Sequence, residues 1–153
     1  MRKVSLSLLL VAASVAISLP ASATPPTGVD IEVESSLLGA PSPFVASGPA
    51  VDDGLVCASG TVVDANGKVT GLSPAGFNFQ GVKHFICDDG SGDFSVNLRA
   101  RIDFRKGTTF NWNVLRGTGG YANLHGAGSG VGLAICGPDC VFDVYAGGLH
   151  IDP

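Results

Sequence analysis

The segment "FSVNLRARIDF" (94–104) constrains the fold more than any other part of the chain. Phe94, Val96, Leu98, Ala100, Ile102 and Phe104 alternate without a break with Ser95, Asn97, Arg99, Arg101 and Asp103. A period of two held over eleven residues has one backbone solution: a long strand with an apolar and a polar face. Such a strand needs partners on both edges and a layer over its apolar face.

The flanking sequence supplies them. "RKGT" turns the chain, and in "TFNWNVL" (109–115) Phe110, Trp112 and Val114 alternate with Asn111 and Asn113. The two segments predict a hairpin. Upstream, Val29, Ile31 and Val33 alternate with acidic residues, and "FVASGPAV" (44–51) reads as a weaker strand with a Gly-Pro kink. "LVCASGTVVDANGKVTGL" (55–72) contains Asn66-Gly67, a strong hairpin-turn signal. "GVKHFIC" (81–87) is a further strand and "DDGSGD" (88–93) a turn, with none of the ligand order of a helix-loop-helix calcium site. Glycine and proline recur too often for long helices. About eight or nine short strands predict an all-β fold, an antiparallel up-and-down β-barrel of about eight strands.

The chain opens with a basic pair, Arg2 and Lys3, an apolar run to about Ser18, and Ala21-Ser22-Ala23. That is the pattern of a secretory signal peptide, residues 1–23, cleaved after Ala23. Residues 24–28 are expected to be a disordered start and 29–153 a single barrel domain, secreted or periplasmic. About 130 residues suffice for one core. Without Arg2 and Lys3 the chain carries 7 basic and 13 acidic residues, a net charge of −6. That balance argues against nucleic acid or an anionic membrane as partner, and leaves a small apolar molecule or a protein.

Cys57, Cys87, Cys136 and Cys140 are an even set in an exported chain, which reads as disulfides. Three pairings are possible, and the favoured one is Cys57–Cys87 with Cys136–Cys140. No C-x-x-C spacing supports zinc or thiol redox chemistry, so no metal is expected.

"RGTGGYANLHGAGSGVG" (116–132) matches the G-x-G-x-x-G/A pattern at Gly117, Gly119, Gly120 and Ala122. A dinucleotide site needs a helix to open there, and Gly126, Gly128, Gly130 and Gly132 cannot sustain one at a cost of roughly 1 kcal/mol each. No cofactor is expected. On a strand those four glycines share one face, leaving bare backbone for the rings of Phe110, Trp112 or Tyr145. Gly117, Gly119 and Gly120 would supply positive-φ turn positions.

"VLRGTGGYANLHGAGSGVG" resembles the glycine motif of the allene oxide cyclase barrel-like superfamily, which includes plant dirigent proteins and exported bacterial proteins of unassigned role. "GLVCASGTV" and "FSVNLRARIDF" also look like strands of the bacterial members. The resemblance covers about residues 44–135. It implies an eight-stranded barrel with an apolar cavity, and a trimer as in the plant members. None of that superfamily's functional residues can be placed on this chain.

Phe94, Leu98, Ile102, Phe110 and Trp112 are the candidate cavity lining. His84, between Val82 and Ile86, is the candidate inward polar group, read first as a packed core imidazole. Arg99, Arg101 and Asp103 read as surface cross-strand ion pairs. Ser129 lacks the elbow pattern of a serine hydrolase. No catalytic residue can be assigned. The leading expectation is a non-enzymatic barrel binding a small apolar ligand or a protein. The alternative is a cyclase- or dirigent-like protein that guides a reactive intermediate, which requires a polar group inside the cavity.

Overall fold

The computed structural model describes residues 25–137 and 139–152; the expected signal peptide and Pro138 lie outside the described residues. Eight strands close into an antiparallel barrel in sequence order: β1 (Thr27–Ser36), β2 (Ser42–Ser47), β3 (Ser59–Ser73), β4 (Gly76–Cys87), β5 (Asp93–Asp103), β6 (Gly107–Gly117), β7 (Leu124–Leu133) and β8 (Cys140–Ile151). The seam is β1 against β8, paired from Thr27↔Leu149 to Ser36↔Cys140. Thr27 and Gly28, expected in a disordered start, are therefore strand residues.

The β5 alternation is realised as expected. Phe94, Val96, Leu98 and Ala100 are buried, and Ile102 packs against the core. Phe104 departs from the pattern: β5 ends at Asp103, and Phe104 sits exposed in the following turn against Phe77. Around the barrel apolar side chains point inward and charged ones outward, apart from Asp64, Lys83 and Asp143, the reverse of a membrane-spanning barrel.

The glycine face of β7 is likewise as expected. A Cβ on Gly128 would lie 2.8 Å from the Trp112 ring, and one on Gly130 would overlap the Phe110 ring. Trp112 Nε1 donates to Ser129 O at 3.2 Å, and the Phe110 and Tyr145 rings pack 4.6 Å apart. Of the three turn glycines only Gly119 has positive φ, +56°. Gly117 instead ends β6 where any Cβ would strike the Tyr121 backbone.

Two local expectations fail for tertiary reasons. Asn66-Gly67 makes no turn. β3 runs on to Ser73, with a register shift at Asp64/Asn66, and the turn falls at Pro74-Ala75. Gly67 is glycine because the Phe79 ring lies on it, 2.7 Å from where its Cβ would stand. After β2 the Gly-Pro pair opens one helical turn, α1 (Pro49–Asp52), where proline pre-sets the first helical φ.

The two ends of the barrel differ. At one end α1 buries Ala50, the Cys57–Cys87 disulfide ties the β2–β3 connection to β4, and the 3₁₀ turn Gly119–Tyr121 lays Tyr121 on Phe94. Phe44, Phe85, Phe94 and Tyr145 fill the barrel beneath. At the other end, formed by the β1–β2, β3–β4, β5–β6 and β7–β8 connections, the interior is open. The second disulfide, Cys136–Cys140, clips the β7–β8 connection. Both pairings are those expected.

Candidate functional site

The open end holds a pocket of about 370 Å³. Its apolar wall comes from inward residues of adjacent strands: Phe79 on β4, Leu98, Ala100 and Ile102 on β5, Phe110 on β6 and Val141 on β8. The period-two pattern places them there, since each is an inward position of its strand.

The same pocket contains, besides Ser36 and Thr108, a connected set of four polar side chains, Ser35, Asp64, Lys83 and Asp143. Asp64 and Lys83 are direct cross-strand neighbours on β3 and β4, and Lys83 Nζ lies 2.9 Å from Asp64 Oδ1. Lys83 Nζ also donates to Ser35 Oγ at 3.3 Å, and Ser35 Oγ donates to Asp143 Oδ2 at 2.6 Å. Ser35, Lys83 and Asp143 are buried, whereas the Asp64 carboxylate is partly open to solvent. An ammonium removed from water is held by one exposed and one buried carboxylate, the second through a bridging hydroxyl.

Burial pushes the Asp143 carboxyl above its ordinary range, against the opposing effects of the Ser35 hydrogen bond and the Lys83 charge. Tyr145, two residues along the same face of β8, is raised well above the usual phenol, first by burial and then by the negative charges of Asp143 and Asp64. Its hydroxyl is buried with no hydrogen-bond partner among the described residues. Chemically, the cluster offers an ammonium donor and a carboxyl group whose hold on its proton burial strengthens, with the neutral Tyr145 phenol buried beneath, outside the pocket lining.

Of the six expected cavity residues, Leu98, Ile102 and Phe110 line this pocket. Phe94 and Trp112 lie deeper in the packed half, Phe94 stacked on Phe85 at 4.8 Å and Trp112 over the β7 glycines. His84 faces the outer wall, beside Val82, Ile86 and Leu115, with Nδ1 3.0 Å from Ser95 Oγ. The inward set of β4 is Gly81, Lys83, Phe85 and Cys87, so the strand presents the opposite face from the one expected. The signal was available. A disulfide from Cys87 into the barrel end, with period two, carries Phe85 and Lys83 inward together. Asp143 and Tyr145 follow from the same alternation on β8, counted back from Leu149.

The other singled-out residues lie outside the pocket. Arg99 and Arg101 face Gln80, Asn78, Asn111 and Thr109 across the ladders, and neither forms an ion pair among the described residues. Asp103 instead accepts from the Arg105 and Lys106 backbone N–H groups. His125 and His150 stack at 5.5 Å and both approach Asp152, at 3.3 and 3.6 Å. No group of three metal-ligating side chains among the described residues is arranged to hold a metal ion. Comparison of the chain with family models, curated proteins and solved structures returned no match.

Proposed function

We propose that this chain is an exported, non-enzymatic binding protein of the allene oxide cyclase barrel-like superfamily, and that it holds a small, largely apolar molecule in the open end of the barrel. The observation that carries the reading is the half-filled interior. Aromatic rings pack one end solid, while Leu98, Ile102 and Phe110 wall a pocket of about 370 Å³ at the other. That volume suits a molecule of modest size. Its polar end would meet the Lys83–Ser35–Asp143 cluster. Two disulfides and a closed barrel suit an extracytoplasmic setting.

The test is titration of the mature, oxidised protein with N-phenyl-1-naphthylamine, a neutral apolar fluorophore. Saturable enhancement at one site is expected. Ala100→Trp, which puts an indole into the pocket wall, should weaken it by about tenfold or more with the fold retained. Absence of saturable binding, or equal binding by Ala100→Trp, overturns the reading.

A second reading is favoured by one observation, the raised carboxyl of Asp143 hydrogen-bonded to Ser35 at the polar side of a pocket whose other wall is apolar. A group that can hold or yield a proton there would let the barrel steer a reactive intermediate. Native mass spectrometry of the protein from its own source would identify a retained molecule. Conversion of that molecule by the wild type and not by Asp143→Asn would carry this second reading.

A further inference from the structure

The large exposed hydrophobic residues are unevenly placed. Three of the four connections at the open end carry them, Leu37 and Leu38 between β1 and β2, Phe104 between β5 and β6, and Ile135 between β7 and β8, and Leu72 stands at the end of β3 beside the fourth. These five are 59–78 % exposed. The connections at the packed end carry none among the described residues. The apolar tips therefore form a rim around the pocket mouth, and Leu37 belongs to both rim and pocket wall.

Charge is divided along the same axis. Asp52, Asp53, Asp88, Asp89, Asp93 and Asp152 gather at the packed end, with Arg116 as the basic residue there. At the open end Lys68, Arg101, Arg105 and Lys106 stand on the outer surface against Glu34, Asp103 and Asp139. Arg105 and Lys106 directly follow Phe104 in one exposed turn. The net charge of −6, which argues against a membrane partner when taken as a sum, falls mostly on the packed end, whose residues sum to −5, while the open end, with Asp64, Lys83 and Asp143 of the pocket included, sums to zero.

We infer that the open end is a peripheral docking surface for an anionic lipid bilayer, with the apolar rim entering the interface and Phe104-Arg105-Lys106 at its centre of charge. Short apolar tips beside cations insert into the headgroup boundary while the cations meet acidic headgroups. The acidic packed end is repelled by the same surface, so the barrel approaches with its mouth toward the lipid. An apolar molecule could then pass between bilayer and pocket without crossing water. Docking itself does not depend on the pocket being a binding site, because the rim and charge division stand without a ligand.

The experiment is co-sedimentation of the mature, oxidised, ligand-free protein with phosphatidylglycerol–phosphatidylcholine vesicles and with phosphatidylcholine vesicles alone. Binding to the anionic vesicles that weakens with salt is expected, with far less on the neutral ones. Leu38→Ser/Phe104→Ser and Arg105→Glu/Lys106→Glu each change exposed turn residues outside the pocket, and each should weaken binding by about tenfold or more. Val45→Ser, on the outer wall away from the rim, should change it by less than about twofold. No vesicle binding, binding unchanged by either pair, or an equal loss in Val45→Ser overturns the inference. So does a concentration-dependent dimer that Leu38→Ser/Phe104→Ser abolishes, since the rim would then belong to a second copy of the chain. Fluorophore binding without vesicle binding leaves the proposed pocket standing and removes only the docking surface.

Discussion

Ser35 Oγ donates to Asp143 Oδ2 at 2.6 Å while accepting from Lys83 Nζ at 3.3 Å, so a single hydroxyl joins a buried carboxylate to a buried ammonium. The Asp143 carboxyl is nonetheless raised above its usual 3.8, because desolvation outweighs both favourable contacts. The folded chain then holds this proton more tightly than the unfolded chain. Stability is fully present below the unfolded value, falls as pH rises through the raised folded value, and is flat above it. Urea denaturation across this range should show that slope in the wild type, and its loss in Asp143→Asn.

Among the described residues Lys83 is the one cation inside the barrel, facing both Asp64 and Asp143. Lys83→Met should destabilise the protein by about 2–4 kcal/mol at neutral pH, less than a fully buried pair because Asp64 is partly solvated. Adding Asp143→Asn should recover part of the loss. Denaturant midpoints of the two single variants and the double variant check the coupling.

Tyr145 buries a hydroxyl that finds no partner among the described residues. Tyr145→Phe should therefore be neutral or stabilising by about 1 kcal/mol, since the ring contacts with Phe110, Phe85 and Trp112 survive. Its phenol is raised well above 10.0, so the stability it contributes is present below that pH and lost as pH climbs beyond it. Thermal melts at alkaline pH should show a shallower decline in the phenylalanine variant.

Gly130 and Gly28 should separate packing from conformational entropy. A Cβ on Gly130 would enter the Phe110 ring, whereas one on Gly28 meets nothing within 4 Å. Gly130→Ala should cost about 2–3 kcal/mol and Gly28→Ala should lie within about 0.5 kcal/mol of zero. Equal effects in urea melts would contradict this account of the β7 face.

The two disulfides close loops of very different length, with sequence separations of 30 and 4. In the chain-entropy description, replacing Cys57 and Cys87 by serine should cost about 3.6 kcal/mol and the Cys136/Cys140 replacement about 1.9 kcal/mol. Chemical denaturation of each double variant measures the difference.

The barrel was legible wherever one rule governed a whole segment. The strict alternation of β5 and the four spaced glycines of β7 fixed their faces without reference to any other strand. Legibility ended where two rules competed. Asn66-Gly67 signals a turn locally, but the Phe79 ring needs the glycine flat beneath it, and packing prevails. In "GVKHFIC" both faces carry apolar residues, so hydrophobicity alone could not decide whether His84 or Lys83 turns inward. The pocket's polar cluster was hidden for a related reason. Its members lie on four strands, and a buried lysine becomes plausible only once β3 and β8 have brought carboxylates beside it.

The β1–β8 seam has a consequence in time. Among the described strands the first pairs with the eighth, over ten registered residue pairs, so β1 presents an unpaired edge until β8 has been made. The contact of greatest sequence separation is thus the one that closes the structure, which makes closure slow. No amino-terminal fragment can reach the native arrangement. Until Cys140–Ile151 has arrived, β1 and the newest strand are both open edges, and β8 closes the two at once.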